Sequence, residues 1–311
     1  MHEGRSTGLA SIDALKSDVN LSFTAPDKID VTHFVPATEL APYVTQIYFF
    51  RCDEPAIRDR QPAALGHLVF LLNGKGTLKF QNGTVVQVAG ATAFGPGLAA
   101  AEFDFKGPLY DLGFALSPLG FVALTGKAAN LYADRAVPAS ELFGPQVDEL
   151  AEEVRKGHRN GTMRLAEMVE KTTAFLLSRA RPVPASHAHM VQTVISWLSS
   201  DLDPNVENLY PMLDMSRSTA ARLITCYFGT APKQLMRKYR ALRAASMLID
   251  PNCTDTLRTQ IESLFYDQPH MIREIRQFAG RTPGTLDGDD SKILRIWLSK
   301  DNYRDIETFP G

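Results

Sequence analysis

The sequence is poor in cysteine and has no long apolar run. Its 311 residues include three cysteines, Cys52, Cys226 and Cys253, and no Cys-x-x-Cys pair. Neither a disulfide framework nor a cysteine-rich zinc site is therefore predicted. No apolar stretch reaches the ~18 to 20 residues that a membrane-spanning helix needs, and the opening residues have no apolar signal-peptide core. We expect a soluble, cytoplasmic protein with no membrane partner.

The sequence also lacks an overall excess of positive charge, but its basic residues are concentrated in one region. The net charge of the whole chain is −2. Residues 205–286 contain 11 Lys/Arg and 7 Asp/Glu, which gives this region +4 and leaves −6 for the rest of the chain. A locally positive surface is what contact with nucleic-acid phosphates requires.

Short β-rich runs separated by turn signals fill residues 33–124. The runs are residues 46–50, 68–72, 77–80, 84–88 and 110–114. Asn73-Gly74 and Asn82-Gly83 supply the positive φ angles that tight hairpins need. A small antiparallel barrel or sandwich is predicted, followed by two helices within 141–177, the first beginning at Pro145.

A proline-containing stretch, residues 179–188, predicts a domain boundary, and an internal repeat follows it. Four residues recur with a period of 51: Ser216, Arg222, Gly229 and Pro232 return as Asp267, Arg273, Gly280 and Pro283. Ser216 and Asp267 suit a helix N-cap, and each glycine suits the left-handed residue that ends a helix. Two helix-turn-helix units, joined by a helix over 232–248, are predicted.

These patterns resemble the AraC/XylS family of bacterial transcription regulators over residues 188–286. The likeness lies in Ser216-x5-Arg222-x6-Gly229-x2-Pro232 and most strongly in residues 265–283. The resemblance implies an α+β chain of two domains. The N-terminal domain would be a β-rich, cupin-like barrel with a helical appendage for sensing or dimerisation. The C-terminal all-α domain would place two recognition helices in successive segments of the major groove.

By position, the resemblance assigns contacts to the outward faces of both recognition helices. The expected base contacts are Ser218, Ala221, Arg222, Gln268, Pro269, His270, Ile272 and Arg273. Arginine can pair with guanine, glutamine with adenine, and isoleucine can pack on a thymine methyl group, so the second module is expected to carry more of the specificity. The expected phosphate contacts are Arg217, Lys233, Arg237, Arg276 and Arg281. Arg240 is expected either to lie on a solvated face or to pair internally with an acid such as Glu207 or Asp267.

Several positions depart from the family pattern. The family has a small residue where the two helices cross and a glycine in the turn, but Tyr210 and Asp214 occupy these positions in the first module, and Gln260 and Leu264 in the second. Pro211 also falls within the predicted first helix of the first module, where an interior proline costs ~3 kcal/mol or more. A protein-interaction regulator with degenerate modules is therefore an alternative. The apolar tail, residues 293–298, would either serve as its partner surface or fold back on the chain.

A cupin-type metalloenzyme is the less favoured alternative. Such a site needs converging histidines and a carboxylate, but before residue 150 the histidines are His2, His33 and His67. His187 and His189 form a His-x-His pair in the predicted linker. Glycine-rich phosphate loops, Ser-His-Asp order and reactive-cysteine motifs are missing. We expect no enzymatic activity, no cofactor and no metal.

The predicted domain boundaries follow from these patterns. They are an N-terminal extension (1–32), a β-rich sensing and dimerisation domain with a helical hairpin (33–180), a linker (181–187), a DNA-binding domain (188–286) and a C-terminal extension (287–311). The expected partners are double-stranded DNA, RNA polymerase, a small-molecule effector and a second copy bound through the N-terminal domain. We expect a bacterial cytoplasmic location, associated with the nucleoid when bound to DNA.

Overall fold

An antiparallel sheet of eight strands fills the first part of the region that the computed structural model describes, residues 29–286 and 292–298. The strands are β1 (Ile29–Phe34), β2 (Val44–Cys52), β3 (Ala56–Gln61), β4 (Gly66–Lys79), β5 (Val85–Val88), β6 (Ala91–Phe94), β7 (Ala101–Leu116) and β8 (Ala136–Pro138). The long strand β7 organises the sheet. It pairs with β4 along one edge, and along the other edge with β3 first and then with β2.

The two faces of this sheet bury different layers. Helices α1 (Pro118–Thr125), α2 (Ala139–Phe143), α3 (Gln146–Arg159) and α4 (Leu165–Arg179) cover one face. On β7, Leu112 and Phe114 point into this helical layer, and Phe103 and Phe105 belong to the core on the opposite face. The two helices predicted over 141–177 are confirmed as α3 and α4, and α3 begins one residue after Pro145.

One of the two predicted hairpins is wrong. Asn82-Gly83 turns the chain between β4 and β5, and Gly83 has a φ of 85°. Gly74 has a positive φ of 97°, but it lies inside β4, which stays paired with β7 on both sides of a register shift. The positive φ angle is thus absorbed by a bulge, because the segments before and after it bond to the same neighbouring strand.

The second half of the chain is helical, as predicted. Its helices are α5 (Ala185–Ser199), α6 (Arg217–Phe228), α7 (Pro232–Leu248), α8 (Asp255–Ser263), α9 (Gln268–Ala279) and α10 (Lys292–Trp297). Helix α7 coincides with the predicted joining helix over 232–248, and α5 begins three residues before the predicted start of the DNA-binding domain. None of the described helices is long and apolar enough to cross a bilayer.

The apolar tail folds back on the chain. Ile293 of α10 is buried in the sheet core, and Leu294 and Leu298 are buried in the core of the second helix-turn-helix module. Ser246 Oγ on α7 donates a hydrogen bond to the carbonyl of Leu298 at 2.8 Å. Most of the predicted terminal extensions, residues 1–28, 287–291 and 299–311, lies outside the described residues.

Candidate nucleic-acid interface and its link to the sheet

Helix α6 has the start, end and faces that the repeat predicts. Ser216 Oγ accepts a hydrogen bond from the backbone N–H of Thr219 at 3.3 Å, and Gly229 ends the helix with a φ of 82°. The inward stripe, which contains Ala220, Leu223, Ile224 and Tyr227, is buried. On the opposite face Ser218 and Arg222 are exposed, and Ala221 is half-buried.

The segment before α6 departs from the expected geometry. Two 3₁₀ turns, Val206–Asn208 and Tyr210–Met212, occupy the place predicted for the first helix of this module. Pro211 lies in the second turn, which is consistent with its inability to continue an α-helix interior. Arg217, an expected phosphate contact, stacks on the Tyr210 ring at 4.3 Å and donates two hydrogen bonds to Glu207 at 2.8 and 2.7 Å.

The second module has an α-helix on both sides of its turn. Asp267 Oδ1 accepts a hydrogen bond from the backbone N–H of His270 at 2.7 Å and so caps α9, and Gly280 ends the helix with a φ of 84°. On the outward face Gln268, Pro269 and Arg273 are exposed, and His270 and Ile272 are half-buried.

Three of the expected base-contacting side chains are exposed and unengaged. Arg222, Gln268 and Arg273 make no side-chain hydrogen bond or ion pair with any other residue that the structure describes. These are the side-chain types that form bidentate contacts with guanine and adenine.

Other expected contacts are engaged in a buried ion cluster around Glu274 of α9. The Glu274 side chain is 1% exposed and accepts hydrogen bonds from Arg237 Nε at 2.5 Å and Arg240 Nη2 at 2.7 Å. His270 Nε2 lies 3.1 Å from the same carboxylate. Arg240 therefore pairs internally, but with Glu274 and Asp203 rather than with Glu207 or Asp267. In this conformation Arg237 and His270 join α7 to α9.

Arg281 does not lie where a phosphate contact requires. Its side chain is 2% exposed and donates a hydrogen bond at 2.7 Å to Asp59 of β3, which is completely buried. In this conformation the sheet covers the Arg281 guanidinium, so a phosphate contact at Arg281 would first require release from Asp59. Lys233 and Arg276, by contrast, are exposed.

Further contacts fasten the helical domain to the sheet. Lys238 of α7 is buried, and its Nζ donates hydrogen bonds to the carbonyls of Ala64 at 2.9 Å and Gly97 at 2.7 Å. Burial disfavours the ammonium ion and lowers the pKa of Lys238 to about 8, although the nearby Asp134 opposes this shift. The sequence of α7 gives no signal for this role, because Lys238 stands between other basic residues, Arg237 and Arg240.

The C-terminal ends of the two recognition helices, α6 and α9, also contact the sheet domain. A Cβ atom added at Gly229 would lie 2.6 Å from Pro96, and one added at Gly280 would lie 2.8 Å from Arg60 Cβ. Arg60 Nη1 donates a hydrogen bond to the Gly280 carbonyl at 2.7 Å. Backbone hydrogen bonds from Ala63 and Ala100 to the last turn of α9 complete this contact. The orientation of both helices is therefore tied to the sheet.

A cavity lies within the sheet, on the side of the helical domain. It has two adjoining parts: an inner chamber of about 90 Å³, lined by residues of the strands and by Trp297, and a mouth of about 70 Å³, which Lys238 and Tyr239 of α7 also border. Tyr48, Phe50, Gln61, His67 and Trp297 line both parts. Sequence patterns gave no sign of a cavity here, because its lining comes from strands and a helix that are far apart in the chain.

The histidines of the metalloenzyme alternative do not form a metal centre in the described residues. No group of three His, Cys, Asp or Glu side chains there is placed to hold a metal ion. His33 Nδ1 lies 2.9 Å from Gln46 Nε2, and His67 Nδ1 bonds to the Leu65 carbonyl. His187 lies in α5, with Nδ1 3.0 Å from the Tyr227 hydroxyl.

An antiparallel sheet domain joined to a helical domain with two capped recognition helices defines a two-domain protein of the helix-turn-helix class. Residues 211–288 match the family model of a helix-turn-helix domain. This C-terminal domain is of the AraC type. Domains of this type occur in transcription regulators, which are generally not enzymes.

Solved structures of two regulators show distant similarity. ToxT from Vibrio cholerae is 9% identical and has a TM-score of 0.45, with 80% of this chain and 97% of ToxT covered. An apo ToxT variant from strain SCE256 is 9% identical, with 75% and 96% covered and a TM-score of 0.41. The AraC-like transcriptional activator CuxR is 15% identical, with 70% and 86% covered and a TM-score of 0.31. No curated protein matches the chain.

Proposed function

We propose that this protein is a sequence-specific DNA-binding transcription regulator whose two helix-turn-helix modules read adjacent segments of the major groove. The observation that carries this proposal is the unengaged set of Arg222, Gln268 and Arg273 within the first two turns of two capped helices. The N-terminal part of a recognition helix is the part that meets base edges in helix-turn-helix proteins.

The proposed phosphate contacts fall into two groups. Lys233 and Arg276 are exposed, and Arg217 reaches solvent from its pair with Glu207. Arg237 and Arg281 would have to leave Glu274 and Asp59 before they could contact DNA. We therefore assign non-specific binding first to Lys233, Arg276 and Arg217.

Control from the sheet domain is the second part of the proposal. Helices α6 and α9 both end against this domain, so an effector or partner that moves the domain would shift both helices together. We propose a small-molecule effector in the cavity, RNA polymerase as a partner, and a homodimer formed through the N-terminal domain. The domain boundaries predicted from the sequence and a bacterial cytoplasmic location, on the nucleoid when bound to DNA, belong to the same proposal.

The alternative is a regulator that acts through protein contacts and not through DNA. The observation that favours it is the replacement of an α-helix by two 3₁₀ turns ahead of α6. If this loss moves α6 out of line with α9, the two helices cannot enter successive grooves, and only non-specific affinity remains, with a Kd of roughly 10⁻⁴ to 10⁻⁶ M at physiological salt.

Binding of the full-length protein to its own promoter region, measured at several salt concentrations, separates these functions. Arg273→Ala should cost about 1 to 3 kcal/mol on the specific site and relax the preference at one base pair. Lys233→Ala should weaken specific and random DNA alike and reduce the salt slope by about 1. Arg155→Ala on α3, which changes an exposed arginine of the sheet domain, is the matched control and should change neither.

The outcome decides between the two functions. Equal weakening of specific and random DNA by Arg273→Ala would remove its base-reading role. Micromolar or weaker binding with no sequence preference, together with recovery of a protein partner, would favour the interaction alternative.

A further inference from the structure

Asp111 places a carboxyl group inside an apolar cavity. On β7 the side chains alternate between faces, so that Leu112 and Phe114 enter the helical layer and Asp111 lines the inner chamber. The neighbouring walls are hydrocarbon and aromatic, including Val69, Leu71 and Phe105. A carboxyl group that only served folding would not gain from this position, because burial disfavours its charge.

Asp111 is a half-buried residue, and its side chain makes no hydrogen bond or ion pair with another described residue. Loss of water around the carboxyl group raises the pKa of Asp111 to about 7. The pKa of Tyr48 is also raised, first by its burial and second by the negative charge of Asp111. A positive group from outside would restore the ordinary stability of the carboxylate.

The rest of the inner chamber also favours a cation. His67 Nδ1 lies 2.8 Å from the Leu65 carbonyl, which can only accept, so this nitrogen carries the proton and Nε2 is left as an acceptor. Burial keeps the ring neutral by lowering the pKa of His67 to about 4. Aromatic rings from three strands and from α10 line the chamber, and ring faces attract ammonium groups.

Positive protein groups are confined to the mouth of the cavity. Among the described residues that line the inner chamber there is no lysine or arginine. Lys238 borders the mouth but not the inner chamber, and its Nζ already donates hydrogen bonds to two backbone carbonyls. An anionic ligand would therefore meet a carboxyl group at the inner end with no cation beside it.

We propose that this cavity binds a small organic amine, with its ammonium group on Asp111 and its apolar body between the aromatic walls. Only the role of this amine as the effector rests on the proposed function, and the binding site itself does not. The inner chamber alone is smaller than the cavity of about 150 Å³ that holds benzene, so a ring on a short chain would extend into the mouth.

Trp297 gives this ligand a route to the helical domain. Its ring meets Phe103 edge-on at 5.3 Å and borders both parts of the cavity. Leu294 and Leu298, on either side of it in sequence, pack in the core of the second module. An occupant that displaces the Trp297 ring would therefore act on the helix that joins the sheet to α9.

Titration calorimetry of the full-length protein with phenethylamine tests this proposal. We expect binding that strengthens about tenfold from pH 6 to pH 8, because Asp111 must release its proton while the amine stays protonated over this range. Phenylethanol and phenylacetate, which match the probe in size, should bind at least tenfold more weakly. Asp111→Asn should remove the pH dependence and reduce affinity for the amine at least tenfold.

Asp104→Asn is the matched control, since Asp104 lies on the same strand but pairs with Arg58 at the surface. It should bind phenethylamine like the original chain. Equal binding of the alcohol and the amine, no binding of the amine, or unchanged affinity in Asp111→Asn would each overturn the proposal. DNA binding by the same preparations separates the two ideas, because amine binding without any DNA binding would overturn the proposed function and leave the amine site standing.

Discussion

Removal of the Arg281 guanidinium is the most direct test of how the helical domain is held on the sheet. Arg281 follows the last turn of α9, and its partner Asp59 lies on β3, more than two hundred residues earlier in the chain. Arg281→Met keeps much of the side-chain volume and removes the charge. The Asp59 carboxylate then stays buried without the guanidinium.

The structure sets the expected size of the effect. Removing one partner of a buried ion pair costs about 3 to 5 kcal/mol, because the remaining charge is left without compensation. Asp59 Oδ1 also accepts a hydrogen bond from the backbone N–H of Arg60 at 2.7 Å, which remains in the variant. We therefore expect a loss near the lower limit, about 3 kcal/mol in the free energy of unfolding.

Arg58→Met supplies the matched control for chemical denaturation of the full-length chain. Arg58 lies one residue before Asp59 and pairs with Asp104, but the two side chains are 51% and 42% exposed. Exposed pairs contribute about 0 to 1 kcal/mol, so this variant should be close to the original in stability. The double variant Asp59→Leu, Arg281→Met removes both members of this buried pair and should recover much of the loss.

Two results would refute this account of the interface. Arg281→Met could cost no more than Arg58→Met, in which case the guanidinium does not hold the domains together. Alternatively, the double variant could lose as much as the two single changes combined, which would show that the side chains act independently.

Two further predictions use the same denaturation assay. The pKa of Asp111 is about 7 in the folded protein and ~3.9 in the unfolded chain, so the folded state binds the proton more tightly and the free energy of unfolding should fall as pH rises from about 4 to about 7. Asp111→Asn should abolish this part of the pH dependence, which is worth at most about 4 kcal/mol. An unchanged pH dependence in the variant would contradict the burial of the carboxyl group. Gly280→Ala should lower the free energy of unfolding more than Gly161→Ala does. Both glycines have positive φ angles, which cost alanine about 1 to 2 kcal/mol at either position, but an added Cβ atom meets Arg60 at Gly280 and open space at Gly161. Equal losses would contradict the contact with the sheet.

The recognition helices could be predicted from the sequence because their signals are local. A cap residue, an apolar stripe and a left-handed glycine all act within one helix, and the spacing of Ser216 and Gly229 therefore fixed both ends of α6. The repeat added a second, independent copy of the pattern at Asp267 and Gly280.

Features that depend on pairing between distant segments could not be predicted in the same way. Asn73-Gly74 has the composition of a hairpin, and only the continued bonding of β4 to β7 makes it a bulge. Arg281 and Arg237 look like solvent-exposed basic residues in sequence. Their partners, Asp59 and Glu274, become visible only when the fold brings an acid into a buried position beside each of them.

The weakened first module and the contact between the domains can be explained together. In the second module α8 precedes the turn and α7 packs against α9, so the helical domain itself supports the recognition helix. Ahead of α6 there are 3₁₀ turns, but α6 also packs against the 3₁₀ turn Ala129–Leu131 and against α1, both of the sheet domain. Leu119 and Val122 of α1 join the same apolar core as α6. The sheet domain thus supplies apolar support for α6, where the first module has 3₁₀ turns in place of a helix, whereas its contacts with α9 are the hydrogen bonds and the ion pair at the end of that helix.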